Sequence, residues 1–137
     1  QDVLDQCIYA GLVPRRGPCQ TFRARLLGAD GSAIGSLADA AGLHSYGSEA
    51  DIVSSLPGAD CEMATGLTEA MVRFAVRYEY ARTVEDVLAR RNRLMFLDAQ
   101  AAADSIEAVA DIMASETNAP LRRDACRTLA AQYLASS

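Results

Sequence analysis

The stretch RYEYARTVEDVLARRNRLMFLDAQAA, residues 77–102, decides how the chain folds. It sets Arg77, Glu79, Arg82, Glu85, Asp86, Arg90, Arg91 and Arg93 between apolar residues suited to a core. Thr83 followed three residues later by Asp86 is a capping pair, and it predicts a helix through Val84, Val87 and Leu88. Asp98 is a second cap, placed just before an apolar stripe with helical spacing. Asp86 and Arg90 stand four apart in the favourable order for a helical ion pair, and Arg82 and Asp86 are also neighbours. Glu79 and Arg82 meet if the turn between the two helices is tight. The segment therefore has enough carboxylates nearby to neutralise most of its arginines internally, and structural pairing is expected. An anion site would instead need two arginines left unpaired and aimed at one point. Exposed pairs of this kind are worth up to about 1 kcal/mol each. If buried, deleting one partner should cost about 3–5 kcal/mol.

Reading outward toward the C-terminus, Ala102, Ile106, Val109, Ala110 and Met113 repeat at helical spacing. A last helix is expected to open at Pro120 and to bury Leu121, Ala125, Leu129 and Tyr133. Toward the N-terminus, Thr68 caps a helix with Leu67 and Val72 as a hydrophobic staple and Met71, Phe74, Ala75 and Tyr78 as its stripe. Ser48 with Asp51 predicts another helix start, and Pro57 and Gly58 end that helix. A short helix is expected over 32–43. TFRARLLGADGS, residues 21–32, alternates like a short strand or extended linker and stops at a glycine turn. Residues 1–12 look like the end of a helix stopped by Gly11. The fold class that follows is mostly α: a small orthogonal bundle of about five to six helices with an extended N-terminal lead-in.

The 137 residues suffice for one domain with a real core. The balance of 13 basic against 18 acidic residues gives a net charge of −5, which argues against nucleic acid as a partner. Every basic residue is arginine, so neither a Schiff-base lysine nor a phosphate-loop lysine exists. No apolar run reaches the length of a membrane helix, so no transmembrane segment is expected. The chain opens on QDVLDQ without a methionine, which predicts a piece of something longer.

No catalytic constellation can be assembled. GADGSAIG spaces its glycines at 28, 31 and 35, which fits neither a dinucleotide nor a phosphate-loop pattern. Cys7, Cys19, Cys61 and Cys126 form no close pair and are expected as free thiols. His44, the single histidine, suits a structural hydrogen bond at a helix junction, and no metal site is expected. Glu85 and Asp86 are adjacent, point to different sides of a helix and make no acid–base pair.

Residues 75–102 also carry a family resemblance. The run Glu79, Ala81, Arg82, Thr83, Asp86, Leu88, Arg90, Arg91, Arg93, Leu94, Phe96, Leu97 and Asp98 resembles the pattern E-x-A-R-T-x-x-D-x-L-x-R-R-x-R-L-x-F-L-[DN]. That pattern belongs to the C-terminal helical domain of FAD-dependent glycerol-3-phosphate dehydrogenases. Asn92 departs from the family's usual threonine, at a place where a helix should end in left-handed geometry. LHSYGSEADIVSSL, PCQTFRARLLGADG and VLDQCIYAGL are similar to flanking parts of the family in weaker form.

The resemblance implies that residues 1–30 are the end of a flavin domain and its linker, and that 31–137 are the C-terminal helical domain. The parent oxidises glycerol 3-phosphate to dihydroxyacetone phosphate with FAD, passes electrons to quinone, and sits in the cytoplasm at the periphery of a bacterial inner membrane. Its flavin and substrate residues lie in the large N-terminal domain. This segment then has no catalytic, cofactor-binding or metal residues of its own; what the resemblance carries over is the signature set Glu79, Arg82, Asp86, Arg90, Arg91 and Arg93 as a structural ion network, its partner is the flavin-binding domain, and it is open to homo-oligomerisation. The rival expectation is a stand-alone helical protein-interaction module.

Overall fold

The structure is a computed structural model and describes residues 2–18, 20–26 and 42–135. The expected helix over 32–43, the turn at 28–31, Cys19 and the expected domain boundary at residue 30 lie outside those residues, apart from Gly42 and Leu43. Helix α1 spans Asp2–Tyr9, and Gly11 follows it at φ 73°. That is the left-handed geometry glycine tolerates at a helix stop. None of the residues of α1 is buried. Thr21–Arg23 form one 3-10 turn, followed by Ala24 in extended geometry and irregular chain to Leu26. The strand alternative for this stretch is therefore not taken up: Phe22 and Leu26 stay exposed, and no described strand pairs with them.

The packed body begins with a 3-10 segment, Leu43–Glu49, broken at Gly47 (φ 53°), and continues into α2, Ala50–Ser54. Ser48 does not cap α2. It lies inside the 3-10 segment, and Glu49 occupies the cap position without a side-chain bond. Pro57 and Gly58 follow the helix as expected, with Gly58 at φ 83°.

A two-stranded antiparallel hairpin comes next, β1 Glu62–Ala64 and β2 Leu67–Thr68. It has no counterpart in the reading of the sequence. Thr65 and Gly66 turn it, with Gly66 at φ 74°, and an irregular register separates the pairs Glu62↔Thr68 and Ala64↔Leu67.

Helix α3, Glu69–Tyr78, starts where Thr68 Oγ1 accepts from the Met71 N–H at 3.4 Å. Leu67 and Val72, the staple residues, are both buried. Met71, Phe74 and Ala75 are in the core, whereas Tyr78 at the helix end is exposed with its ring 4.9 Å from that of Phe74.

After Thr83 the chain winds into a π-helical turn, Asp86–Arg91, closed by the Asn92 N–H on the Val87 carbonyl at 2.9 Å. Arg93, not Asn92, takes the left-handed conformation (φ 65°), and Asn92 stays right-handed. The Asn92 side chain donates to the Gly66 carbonyl at 3.1 Å and so ties the hairpin to the π turn. The apolar joint is α4, Leu94–Leu97, with Leu94 and Met95 buried and Phe96 and Leu97 exposed.

Helix α5, Ala99–Glu116, is the centre of the packing and touches α3, α4, α6 and β1. Asp98 caps it by accepting from the Ala101 N–H at 2.9 Å. Its predicted stripe, Ala102, Ile106, Val109, Ala110 and Met113, is buried throughout.

Helix α6 runs Arg123–Leu134, three residues later than Pro120 suggests. The left-handed Arg122 (φ 53°) breaks the path, so Leu121 is off the helix and only half-buried, while its carbonyl accepts from the Val84 N–H at 3.0 Å. The face that packs is Cys126 and Ala130 with half-buried Leu129, whereas Ala125 and Tyr133 are exposed. The result is a mostly helical body whose core is contributed by Val53, α3, the π turn, α4, α5 and α6.

Candidate functional site

The charged residues around the π turn are built from its start. The Asp86 carboxylate turns back on the chain before it: Oδ2 accepts from the Arg82 N–H at 3.0 Å, the Thr83 N–H at 2.9 Å and the Thr83 hydroxyl at 2.9 Å. Thr83 Oγ1 in turn accepts from the Asp86 N–H at 3.2 Å, which completes a reciprocal cap. Oδ1 takes the Arg90 guanidinium, whose other amino group meets Glu85 at 2.6 Å. Burial pushes the Asp86 carboxyl up, but the two backbone N–H groups, the Thr83 hydroxyl and Arg90 outweigh it and hold it at about 2.

The remaining expected members separate. Arg91 donates to the Glu79 carbonyl from Nε at 3.2 Å and Nη2 at 2.6 Å, closing the C-terminal end of α3, and lies 3.8 Å from the Glu79 carboxylate. Glu79 is half-buried. Burial raises its carboxyl above the usual carboxylate range, Arg91 opposes this, and the nearby Glu49 adds to it. Burial, with Glu79 adding to it, also lifts the Tyr46 hydroxyl well above its ordinary value.

Arg82 reaches neither Glu79 nor Asp86 with its side chain. Its guanidinium lies over the Tyr80 ring, 4.1 Å from the centroid. Arg93 makes no ion pair with a described residue. The segment is thus two pairings, Asp86 with Arg90 and Glu79 with Arg91, and two arginines outside them. Arg90 and Arg91 already hold acceptors, so they do not converge on an open point as an anion site requires.

A second network escaped the sequence reading. Glu116, at the end of α5, receives Arg77 as a two-pronged fork, Nε to Oε2 and Nη2 to Oε1, both at 2.7 Å. It also receives Arg73 at 2.5 Å, and Arg73 further pairs with Glu69 on its own helix. The Glu116 side chain is only 10% exposed. The Arg77 fork, helped by Arg73 against the effect of burial, pulls its carboxyl down to about 2. Arg73 and Arg77 are one turn apart, the only local sign of a shared target, and Glu116 lies some 40 residues on, beyond any helical spacing rule. A third, exposed set joins α5 to α6 through Arg123 on Glu107 and Asp111 and Arg127 on Glu107 and Asp124.

Cys7, Cys61 and Cys126 are free thiols, and burial, then Glu85, pushes Cys126 up to about 11. That is far from the activated range. His44 is exposed and its side chain makes no hydrogen bond with a described residue, so the structural bond expected of it is absent there. Among the described residues no three potential ligands cluster as a metal site would need, and no helix is long and apolar enough to cross a membrane.

A flavin dinucleotide needs free backbone N–H groups at a helix start for its pyrophosphate. The starts of α3, the π turn and α5 are filled by Thr68, by Asp86 with Thr83, and by Asp98. The depression lined by Pro18, Gln20, Phe22, Arg23 and Ala24 is formed around the 3-10 turn Thr21–Arg23. The three occupied starts offer no pyrophosphate cradle, whereas the start of α6 carries no side-chain cap.

Comparison with known proteins places this mostly helical body in a family. The mitochondrial glycerol-3-phosphate dehydrogenase SDP6 of Arabidopsis thaliana is 32% identical over 147 aligned residues, which cover 85% of this chain and 23% of that protein. A probable mitochondrial glycerol-3-phosphate dehydrogenase of Dictyostelium discoideum is 40% identical over 76 residues, 52% of this chain and 12% of that protein. The mitochondrial enzyme of Schizosaccharomyces pombe is 45% identical over 49 residues, 36% of this chain and 8% of that protein. The chain therefore spans less than a quarter of the length of these relatives. No solved structure matches it. A family model described as the C-terminal domain of alpha-glycerophosphate oxidase matches residues 19–123, and the chain belongs to that family.

Proposed function

We propose that this chain is the architectural C-terminal domain of an FAD-dependent glycerol-3-phosphate dehydrogenase, with residues 1–30 leading in from the flavin domain and 31–137 forming the helical domain. The parent would oxidise glycerol 3-phosphate to dihydroxyacetone phosphate and pass the electrons through its flavin to quinone. It would work in the cytoplasm at the periphery of a bacterial inner membrane. The flavin belongs to the rest of the polypeptide, and so does every substrate residue. The observation that carries this reading is the match over residues 19–123 combined with the short share of each relative that the chain covers. The role assigned to Glu79, Arg82, Asp86, Arg90, Arg91 and Arg93 is structural. It is supported by the way Asp86 and Arg91 satisfy backbone groups at the two ends of the α3–π turn junction.

A stand-alone interaction module is the second reading, and the unburied helix α1 favours it. In both readings the unburied side of α1 would be covered by a partner. Sequencing the reading frame upstream separates the two. A continuous frame encoding a flavin-binding fold is expected, and a stop codon followed by a start immediately before Gln1 would contradict the dehydrogenase reading.

A further inference from the structure

The stretch that follows α1 carries an imbalance of charge that the packed body does not share. No acidic residue stands between Asp5 and Asp30, yet Arg15, Arg16, Arg23 and Arg25 all fall there. The other nine of the 13 arginines lie beyond it, in sequence with the acidic residues of the body. Six of those nine hold carboxylates: Arg73, Arg77, Arg90, Arg91, Arg123 and Arg127. The four lead-in arginines are all exposed, and none forms an ion pair with a described residue. Arg23 lies instead over the Phe22 ring, 5.1 Å from its centroid.

The same stretch leaves large apolar side chains in water. Leu12 and Phe22 are each 76% exposed and Leu26 is 81% exposed. Pro14, Gly17 at φ 120° and Pro18 interrupt any helix or strand that would turn these side chains inward. Single exposed apolar residues are ordinary on a protein surface. Here they alternate with cations that no acid neutralises, as in Phe22, Arg23, Ala24, Arg25 and Leu26. That combination suits the boundary of an anionic bilayer. Headgroup phosphates take the guanidinium groups there, and the acyl edge takes the apolar side chains. An acidic protein surface or a nucleic acid would take the arginines and leave Leu12 and Leu26 in water. Helix α1 does not share the character, because Asp2 and Asp5 in its first turn would be repelled by such a surface.

We infer that Arg15, Arg16, Arg23 and Arg25, together with Phe22 and Leu26, form an attachment segment for an anionic phospholipid surface. The inference rests on the membrane-periphery reading above and adds to it the segment that makes contact and the lipid charge it recognises.

The test sediments this chain with vesicles of phosphatidylcholine alone and with vesicles that also contain phosphatidylglycerol. Partition onto the anionic vesicles should be greater by about 100-fold or more. It should fall steeply when salt is raised from about 0.1 M to about 1 M. Replacing all four arginines, R15Q with R16Q, R23Q and R25Q, should reduce binding to the level on neutral vesicles. These side chains are exposed, so the thermal midpoint of that variant should match the parent. The chain contains no tryptophan, so Phe22→Trp supplies a single fluorescent reporter, and Leu97→Trp supplies one on the exposed face of α4. Emission from Phe22→Trp should shift to the blue on anionic vesicles, while that from Leu97→Trp should stay unchanged. Equal partition on both vesicles, binding retained by the four-arginine variant, or a shift confined to Leu97→Trp would overturn the attachment segment. So would tighter binding to polyglutamate or to duplex RNA than to anionic vesicles. The upstream reading frame is read separately: a flavin-binding fold encoded there, with no vesicle binding, leaves the dehydrogenase reading standing and removes only the attachment.

Discussion

Asp86 shows how much one carboxylate can organise. It is read by four donors, and three of them are on residues 82 and 83, which makes it a helix cap first and an ion-pair partner second. Replacing Asp86 with alanine should therefore cost about 1–2 kcal/mol, the range for losing a cap. Arg90→Ala should cost less than about 1 kcal/mol, because its side chain is half exposed and its pairs are screened. Chemical denaturation of the two variants checks the order, and equal losses would contradict it. Glu79 behaves in the opposite way. Its carboxylate is partly desolvated and only 3.8 Å from Arg91, while the stronger bonds from Arg91 go to the Glu79 backbone carbonyl, which any side chain retains. Glu79→Gln should then be neutral within about 0.5 kcal/mol, or stabilising, at pH 7. A loss above 2 kcal/mol in the same denaturation measurement would show that the side-chain pair dominates. The cap pair Thr83–Asp86 and the pair Asp86–Arg90 were legible because helical spacing fixes them. The turn of Arg82 onto Tyr80 was not, because it follows from Asp86 being saturated by backbone, which spacing does not reveal.

Among the elements, α3 and α5 matched their sequence patterns closely, since both combine a side-chain cap with an unbroken apolar stripe. The hairpin was missed because strands of three and two residues are too short to show alternation. Helix α6 was placed in the wrong phase for a comparable reason. Its face is built from Cys126, Leu129 and Ala130 within an alanine-rich run that allows more than one stripe, and the left-handed Arg122 that settles the start carries no sequence mark. Asn92 was read as a left-handed end, but that role passes to Arg93, and the Asn92 amide instead anchors Gly66.

The junction between α2 and α3 yields a sharp prediction at this scale. Gly58 has φ 83°, and a Cβ there would lie 2.5 Å from Glu69 Cβ, an atom fixed to the first turn of α3. Its carbonyl also accepts from the Ala70 N–H at 3.3 Å. Gly58→Ala should cost about 2 kcal/mol or more, combining left-handed strain with displacement of the helix start. A thermal midpoint within 1 °C of the parent would contradict this.

For the whole molecule, two carboxylates held near 2 set the response to acid. Asp86 and Glu116 ionise in the unfolded chain near 3.8 and 4.5 and in the folded chain at about 2. A carboxyl whose pKa is depressed by folding contributes stability that is complete above its unfolded value and is lost as pH falls through its folded value. The fold should therefore weaken between about pH 4.5 and pH 2. Glu79, shifted upward, works with the opposite sign: its ionisation as pH rises disfavours the fold and so offsets part of the acid loss. Urea midpoints at pH 5 and pH 3 test this. The double variant Asp86→Asn, Glu116→Gln should lose distinctly less stability between the two pH values than the parent, and an unchanged difference would contradict the assignment.

At this scale the mostly helical class was legible from caps and stripes, and the family from residues 79–98. The clamp of Arg73 and Arg77 on Glu116 was not, because it joins the middle of one helix to the end of another across the folded body.

The central claim is that this chain shapes and supports an oxidoreductase without containing its reaction centre. It is tested most directly by incubating the purified chain with FAD, desalting it, and adding glycerol 3-phosphate with a dye as electron acceptor. The account predicts no retained flavin absorbance and no substrate-dependent dye reduction, whereas stoichiometric flavin with steady turnover would contradict it.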